Sequence, residues 1–134
     1  MRVFLDTNVL IAAFIARGAC HELLEHCVEH HALVTSEFIL SEFRTKLTSK
    51  FKYSLEDAAA AAQLLHSRME TITPVSLRER VCRDADDDNV LAAALTGNCA
   101  WIVTGDKDLL VLGQYQRIAI LDPAGFLQYE EWNT

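Results

Sequence analysis

The sequence predicts an α/β protein, a three-layer sandwich in which helices flank a central, mostly parallel sheet of about five strands. Three observations lead there. Short apolar runs alternate with segments of helical period along the whole chain, and such alternation sets strands side by side with helical crossovers between them. Five Gly and two Pro in 134 residues leave no stretch that reads as a linker, so one domain spanning 1–134 is expected. Hydrophobic residues make up 51% of the chain and charged residues 23%, enough for a single core under a polar surface.

The first strand is the run "RVFL", which stops at Asp6. "NVLIAAFIARG" then has helical length, with Thr7 or Asn8 as its expected cap and Gly18 as its stop. "ACHELLEHCVEHH" continues as an amphipathic helix with Leu23, Leu24, Cys27 and Val28 on one face. "ALVTS" is a short strand. From Ser36, a capping residue, Phe38, Ile39, Phe43 and Leu47 recur at helical spacing up to Phe51. Ser54 and Asp57 open the next helix in a variant of the capping box, and its run of alanines favours the helix strongly. These two helices read as a hairpin. "TITPV" at 71 to 75 is expected as a strand, and "SLRERVC" after it is ambiguous. "DADDDNVLAAALTGN" begins as an acidic cap and runs into a helix that Gly97 or Asn98 ends. "AWIVTGD" is a buried strand ending in Asp106, "DLLVLG" a short helix, "RIAIL" the last strand, and "DPAGFLQYEEW" a terminal helix with Pro123 near its start.

Composition narrows the function. A net charge of −7 argues against binding nucleic acid by bulk electrostatics, though not against recruiting a cation to an acidic site. The longest apolar run, "VLIAAFIA", falls far short of the roughly 20 residues a spanning helix needs, so no membrane role is expected and a cytoplasmic location is. Cys20, Cys27, Cys82 and Cys99 form no CxxC pair and are expected as free thiols in or near the core. "HELLEH" fails as a zinc-protease motif, because His21 and His26 are five apart where that motif needs four. His26/His30 and Cys27/His31 have i, i+4 spacing that could clip a metal, but no other ligand pair accompanies them, and a solvated helix face is expected there.

The carboxylates carry the sharper signal. In open parallel sheets, ligands bind beyond the carboxyl ends of the strands, where strand order reverses. Asp6 and Asp106 each follow an apolar strand at that end. On a helix, Asp84, Asp87 and Asp88 would share a face, and four aspartates in the five residues "DADDD" exceed what a cap needs. Their mutual repulsion asks for a cation. Glu42 points toward the apolar face of its own helix and needs a partner. Such acids, from separate segments and without a matching Cys or His set, suit a hard ion such as Mg²⁺ or Mn²⁺. An ion held this way activates water for in-line attack on a phosphodiester, which is nuclease chemistry.

The series "DTN", "SEF", "DADDDNVLAAAL" and "VTGDKDLL" resembles, in order and spacing over essentially the whole chain, the PIN-domain family, metal-dependent ribonucleases that include the VapC-type toxins of toxin–antitoxin pairs. The resemblance implies Asp6, Glu42, Asp87 and Asp106 as the catalytic and metal-binding quartet. It implies Asp84 and Asp108 as auxiliary acids and Thr7, Asn8 and Thr104 as residues that orient the ligands. Sliding the register of "DADDD" by one residue puts Asp88 in place of Asp87, and both registers stay open at this point. It also implies an RNA substrate, a cognate antitoxin and a homodimer.

RNA needs cations along its backbone. "RTKLTSKFK" supplies Arg44, Lys46, Lys50 and Lys52 directly after Glu42, and Arg78, Arg80 and Arg83 precede the aspartate cluster. Two other readings are weighed against the nuclease. A haloacid-dehalogenase-type phosphatase wants a second aspartate two residues after the first, where this chain has Asn8. A catalytically silent PIN-like module binding RNA or protein would not need the complete acid set.

Overall fold

The computed structural model describes residues 1–132, and of 131 and 132 only the backbone; the last two positions of the expected 1–134 domain lie outside the described residues. The chain runs β1 (Arg2–Leu5), α1 (Thr7–Ile15), α2 (Ala19–His30), β2 (Ala32–Ser36), α3 (Glu37–Phe51), α4 (Leu55–His66), β3 (Glu70–Ile72), α5 (Ala85–Thr96), β4 (Trp101–Val103), α6 (Lys107–Leu112), β5 (Gln114–Tyr115), β6 (Ile118–Leu121) and α7 (Pro123–Trp132). Strand order is β3-β2-β1-β4-β6-β5, parallel throughout except for the β5–β6 pair. The expected α/β fold is therefore present. Its sheet has six strands rather than about five, because two residues before the last strand fold back on it through a turn in which Gln116 takes a left-handed backbone.

β1 lies at the centre, and its Val3, Phe4 and Leu5 are almost wholly buried, as β4's Ile102 and Val103 are. Strands covered on both faces read as continuous apolar runs, which is why these segments show no alternation. α3 turns Ile39, Leu40, Phe43 and Leu47 inward and packs along α4 as the expected helical hairpin. Ser36 and Ser54 cap these two helices as their spacing predicts, accepting from the amides of Ile39 and Asp57.

Three expectations shift. α1 is capped by Asp6 instead of Thr7 or Asn8, since Asp6 keeps an extended backbone while its carbonyl already accepts from Val9 and Leu10. Gly18 does not stop that helix, which ends at Ile15, but precedes the start of α2. β3 occupies Glu70–Ile72 and not 71 to 75, because Pro74 has no amide to give the ladder and the Val75 amide goes to the Thr96 hydroxyl. The ambiguous 76 to 82 stretch is irregular.

From β1 the chain builds outward through β2 and β3, then returns across the sheet to place β4 on β1's other side. The switch point thus lies between the carboxyl ends of β1 and β4, where Asp6 and Asp106 follow. Cys27, Cys82 and Cys99 are buried and Cys20 partly so, all of them free thiols. Burial pushes the thiols of Cys27 and Cys99 up to about 12, which keeps them protonated. Among the described residues, no helix is long and apolar enough to cross a membrane.

Candidate active site

Asp6 is the first residue past β1, and the helix it opens determines how its carboxylate points. Oδ1 accepts from the Thr7 amide at 2.8 Å, and Oδ2 accepts from the Thr104 hydroxyl at 2.7 Å. Thr104 Oγ1 in turn accepts from the Asp106 amide at 3.0 Å, so one buried hydroxyl ties the ends of β1 and β4 together. Burial pushes the Asp6 carboxyl up from its ordinary value. The bonds from Thr104 and Thr7 oppose that rise, Asp106 adds to it by like charge, and Lys46 counteracts it.

Glu42 has found its partner on the same rim. The hydroxyl of Thr7 donates to Glu42 Oε1 at 2.7 Å, which joins α3 to the start of α1. Thr7 and Thr104 therefore each hold an acid. Asn8 does not, for its exposed side-chain oxygen accepts from Lys46 Nζ at 3.0 Å.

The remaining acids come from α5 and α6. Asp84 caps α5, accepting from the Asp86 amide at 2.9 Å, and stays exposed. Asp106 caps α6, accepting from the amides of Asp108 and Leu109. One turn into α5, Asp87 is only 7% exposed. Ligand oxygens of Asp87, Asp106 and Asp108 all lie within 4.8 Å of one another. Burial raises the Asp87 carboxyl, and the charges of Asp106, Asp84, Asp6 and Asp108 raise it further, to about 6. Asp88 faces elsewhere: its carboxylate accepts from the backbone amides of Val81 and, at 2.7 Å, Cys82, which anchors the irregular stretch before α5.

The structure thus brings Asp87, Asp106 and Asp108 into the tightest group, with Asp6 electrostatically coupled to it and Glu42 linked through Thr7. Asp108, expected as auxiliary, is one of the three, and its carboxylate also accepts from Arg83. The signal for it was its place two residues after a capping aspartate, where the first turn of a helix holds both carboxylates at one end. All these donors are carboxylate oxygens, and an all-oxygen set of this charge fits Mg²⁺ or Mn²⁺.

The candidate RNA-binding cations divide by position. Lys46 lies beside Asn8 and lines a shallow cleft with Glu42, on the acid rim. Lys50 follows one turn later and is exposed, and Lys52 ends α3 in a left-handed backbone. Arg44 lies on the side of α3 toward α4, in a cleft with Glu37, Leu40 and Gln63. Arg83 Nη2 donates to both oxygens of Asp108, at 3.0 and 3.1 Å, while 87% of its side chain remains exposed. Arg80 is turned onto the carbonyls of Cys82 and Arg83.

One cluster escapes sequence reasoning. His26 and His31, expected on a solvated helix face, both meet the carboxylate of Glu130, from α7. Spacing along the chain cannot signal a partner 99 positions away.

Comparison with known proteins bears on the fold that carries these acids. A family model described as PIN domain matches residues 2–108. An uncharacterized protein of Methanocaldococcus jannaschii is 33% identical over 117 residues, covering 84% of this chain and 75% of that protein. Among solved structures, VapBC2 from Rickettsia felis bound to a DNA fragment from their promoter superposes with a TM-score of 0.66 at 16% identity, over 90% of this chain and 97% of that one. VapC20 of Mycobacterium tuberculosis, a sarcin–ricin loop cleaving toxin, gives a TM-score of 0.58 at 21% identity, over 87% and 98%. At these identities the two structures speak for the fold.

Proposed function

The chain belongs to the PIN domain family, and from that premise we propose that it is a divalent-metal-dependent endoribonuclease, the toxin of a toxin–antitoxin pair. The observation that carries this reading is the convergence of Asp87, Asp106 and Asp108 at the switch point of the sheet. Asp87, Asp106 and Asp108, with Asp6 beside them, are the residues to hold Mg²⁺ or Mn²⁺. When bound there, such an ion polarises water for in-line attack on a phosphodiester and offsets the charge gathering on the departing oxygen.

The chain's own residues do the rest. Thr104 and the Thr7 amide hold both oxygens of Asp6 in one orientation, so the carboxylate needs no reorganisation when it is used. Thr7 does the same for Glu42. Lys46 and Lys50 supply positive charge along α3 next to the rim, where backbone phosphates can be positioned without base recognition. Arg83, already on Asp108, offers a further exposed guanidinium beside the acids.

The fold shared with VapBC2 and with VapC20, a sarcin–ricin loop cleaving toxin, supports reading the chain as a toxin that acts on RNA, and a restraining antitoxin and a cytoplasmic location belong to the same proposal. We take 1–134 as a single domain and a homodimer as the working assembly. In the test, purified protein is given structured RNAs with Mn²⁺, and cleavage is followed for wild type, Asp6→Asn and Asp106→Asn. Cleavage is expected in wild type and a drop of at least roughly a hundred-fold in each variant, with circular dichroism unchanged. Either variant cutting at the wild-type rate would overturn the site assignment. No cleavage by wild type, together with no Mn²⁺ binding, would leave a silent RNA- or protein-binding module instead.

A further inference from the structure

The opposite end of the sheet holds a second constellation of a different chemical kind. His31 immediately precedes β2, whose first residue pairs with Arg2 at the start of β1, whereas Asp6 lies past the end of β1. At about 3.3 Å per residue, the two ends are separated by roughly 13 Å of strand. His26 and His31 lie at the end of α2, and Glu130 comes from α7, which packs against that helix.

Both imidazoles present the same ring atom to the same carboxylate. His26 Nε2 is 3.0 Å from Glu130 Oε1, and His31 Nε2 also bonds to that oxygen. One ligand atom from each of the three residues lies within 4.8 Å of the other two. His31 Nδ1 lies 3.2 Å from the Met1 nitrogen, a contact that leaves Nε2 as the atom turned to the carboxylate. Side-chain exposure is 9% for His31 and 10% for Glu130, while His26 is 26% exposed and gives access from solvent. Rings secure the arrangement: His31 stands edge-on to Phe126 at 6.0 Å, and Phe126 is itself braced by Trp101.

We propose that His26, His31 and Glu130 form a second cation site, for a first-row transition ion such as Zn²⁺, that clips α7 to the end of α2. Two imidazole nitrogens and one carboxylate oxygen are a three-ligand zinc set, with the fourth position left to water. The 3.0 Å between His26 Nε2 and Glu130 Oε1 is close to the roughly 3.3 Å edge of a tetrahedron whose metal–ligand bonds are about 2.0–2.1 Å. The mixed nitrogen and oxygen donors separate this site from the all-carboxylate rim, which prefers Mg²⁺ or Mn²⁺. Bound there, the ion would join two helices that approach from far apart in the sequence.

The test uses the full chain, stripped with a chelator and then titrated with Zn²⁺ by calorimetry in excess Mg²⁺, which occupies the acidic rim. One equivalent is expected to bind in wild type and equally in Asp106→Asn, with Co²⁺ giving the visible absorption of a four-coordinate site in both. His26→Gln and Glu130→Gln are each expected to weaken binding by roughly ten-fold or more and to abolish the Co²⁺ bands. His26 is partly exposed, so His26→Gln reads the site even if Glu130→Gln fails to fold. The proposal is overturned if wild type binds no stoichiometric Zn²⁺ under these conditions, or if a folded His26→Gln binds it as wild type does.

Discussion

At Asp87 the demands of folding and of cation binding oppose each other. The carboxylate is buried beside Asp106, Asp84, Asp6 and Asp108 and is pushed up to about 6, against 3.8 ordinarily. The folded protein therefore holds a proton there that the unfolded chain has already released. Stability falls as pH rises through the window from about 4 to about 6, and the cost stays in full above it. Asp87→Asn removes that cost. In chelator-treated protein it is expected to raise stability by on the order of 1–2 kcal/mol at pH 8, with no gain near pH 4, as urea denaturation at the two pH values would read. The same substitution is expected to lose cleavage. A gain independent of pH would mean that packing, and not charge, sets the cost at this position. The open register in "DADDD" is a residue-scale matter too, because Asp87 and Asp88 are neighbours whose side chains diverge by about 100° around a helix. Asp87 turns to Asp106 and Asp108, and Asp88 to the amides of Val81 and Cys82.

At the scale of elements, α3 carries separate tasks on separate faces. Ile39, Phe43 and Leu47 build the core, Glu42 reaches the rim through Thr7, and Lys46 and Lys50 stand one turn apart. Arg44 is two residues from Lys46, which puts it on the other side of the helix, toward α4. The run "RTKLTSKFK" reads as one basic patch only while it is a string of letters. Lys46→Ala and Lys50→Ala are each expected to weaken RNA binding and to lower the slope of log K against log salt by about 0.7, the share of one phosphate contact on a single strand. Arg44→Ala is expected to leave that slope unchanged. Filter binding across a salt series reads all three, and an equal effect at Arg44 would place the RNA path on the α4 side. Capping was legible at this scale, since Ser36 and Ser54 cap as their spacing predicts. The cap of α1 was not, because Asp6, Thr7 and Asn8 are all good capping residues and only the direction of the strand before them chooses.

For the whole molecule, the parallel sheet sorts chemistry by its two ends. Carboxylates gather past the carboxyl ends of β1 and β4, and the starts of α1 and α5 bring positive helix ends toward them. That offsets part of the repulsion, and a bound cation offsets more. Mn²⁺ is thus expected to stabilise the fold by about 2.7 kcal/mol when its concentration is 100 times the dissociation constant. Thermal melts with and without Mn²⁺ would measure this, and Asp106→Asn is expected to lose most of the rise. An undiminished rise in that variant would put the stabilising ion somewhere other than the rim.

The sequence by itself determined the alternation of strands and helices, the aspartates that follow β1 and β4, and the surplus of acids opening α5. These are local properties: apolar period, capping chemistry and like charges close together leave their marks within a few residues. Only the tertiary structure decided that Asp87 joins Asp106 and Asp108 while Asp88 anchors a loop, that Lys46 and Arg44 part company, and that Glu130 closes on His26 and His31. Each of those depends on which elements pack together and how each helix is rotated when they do. A side chain's neighbour 99 positions away is a consequence of burial and topology, and no spacing along the chain encodes it.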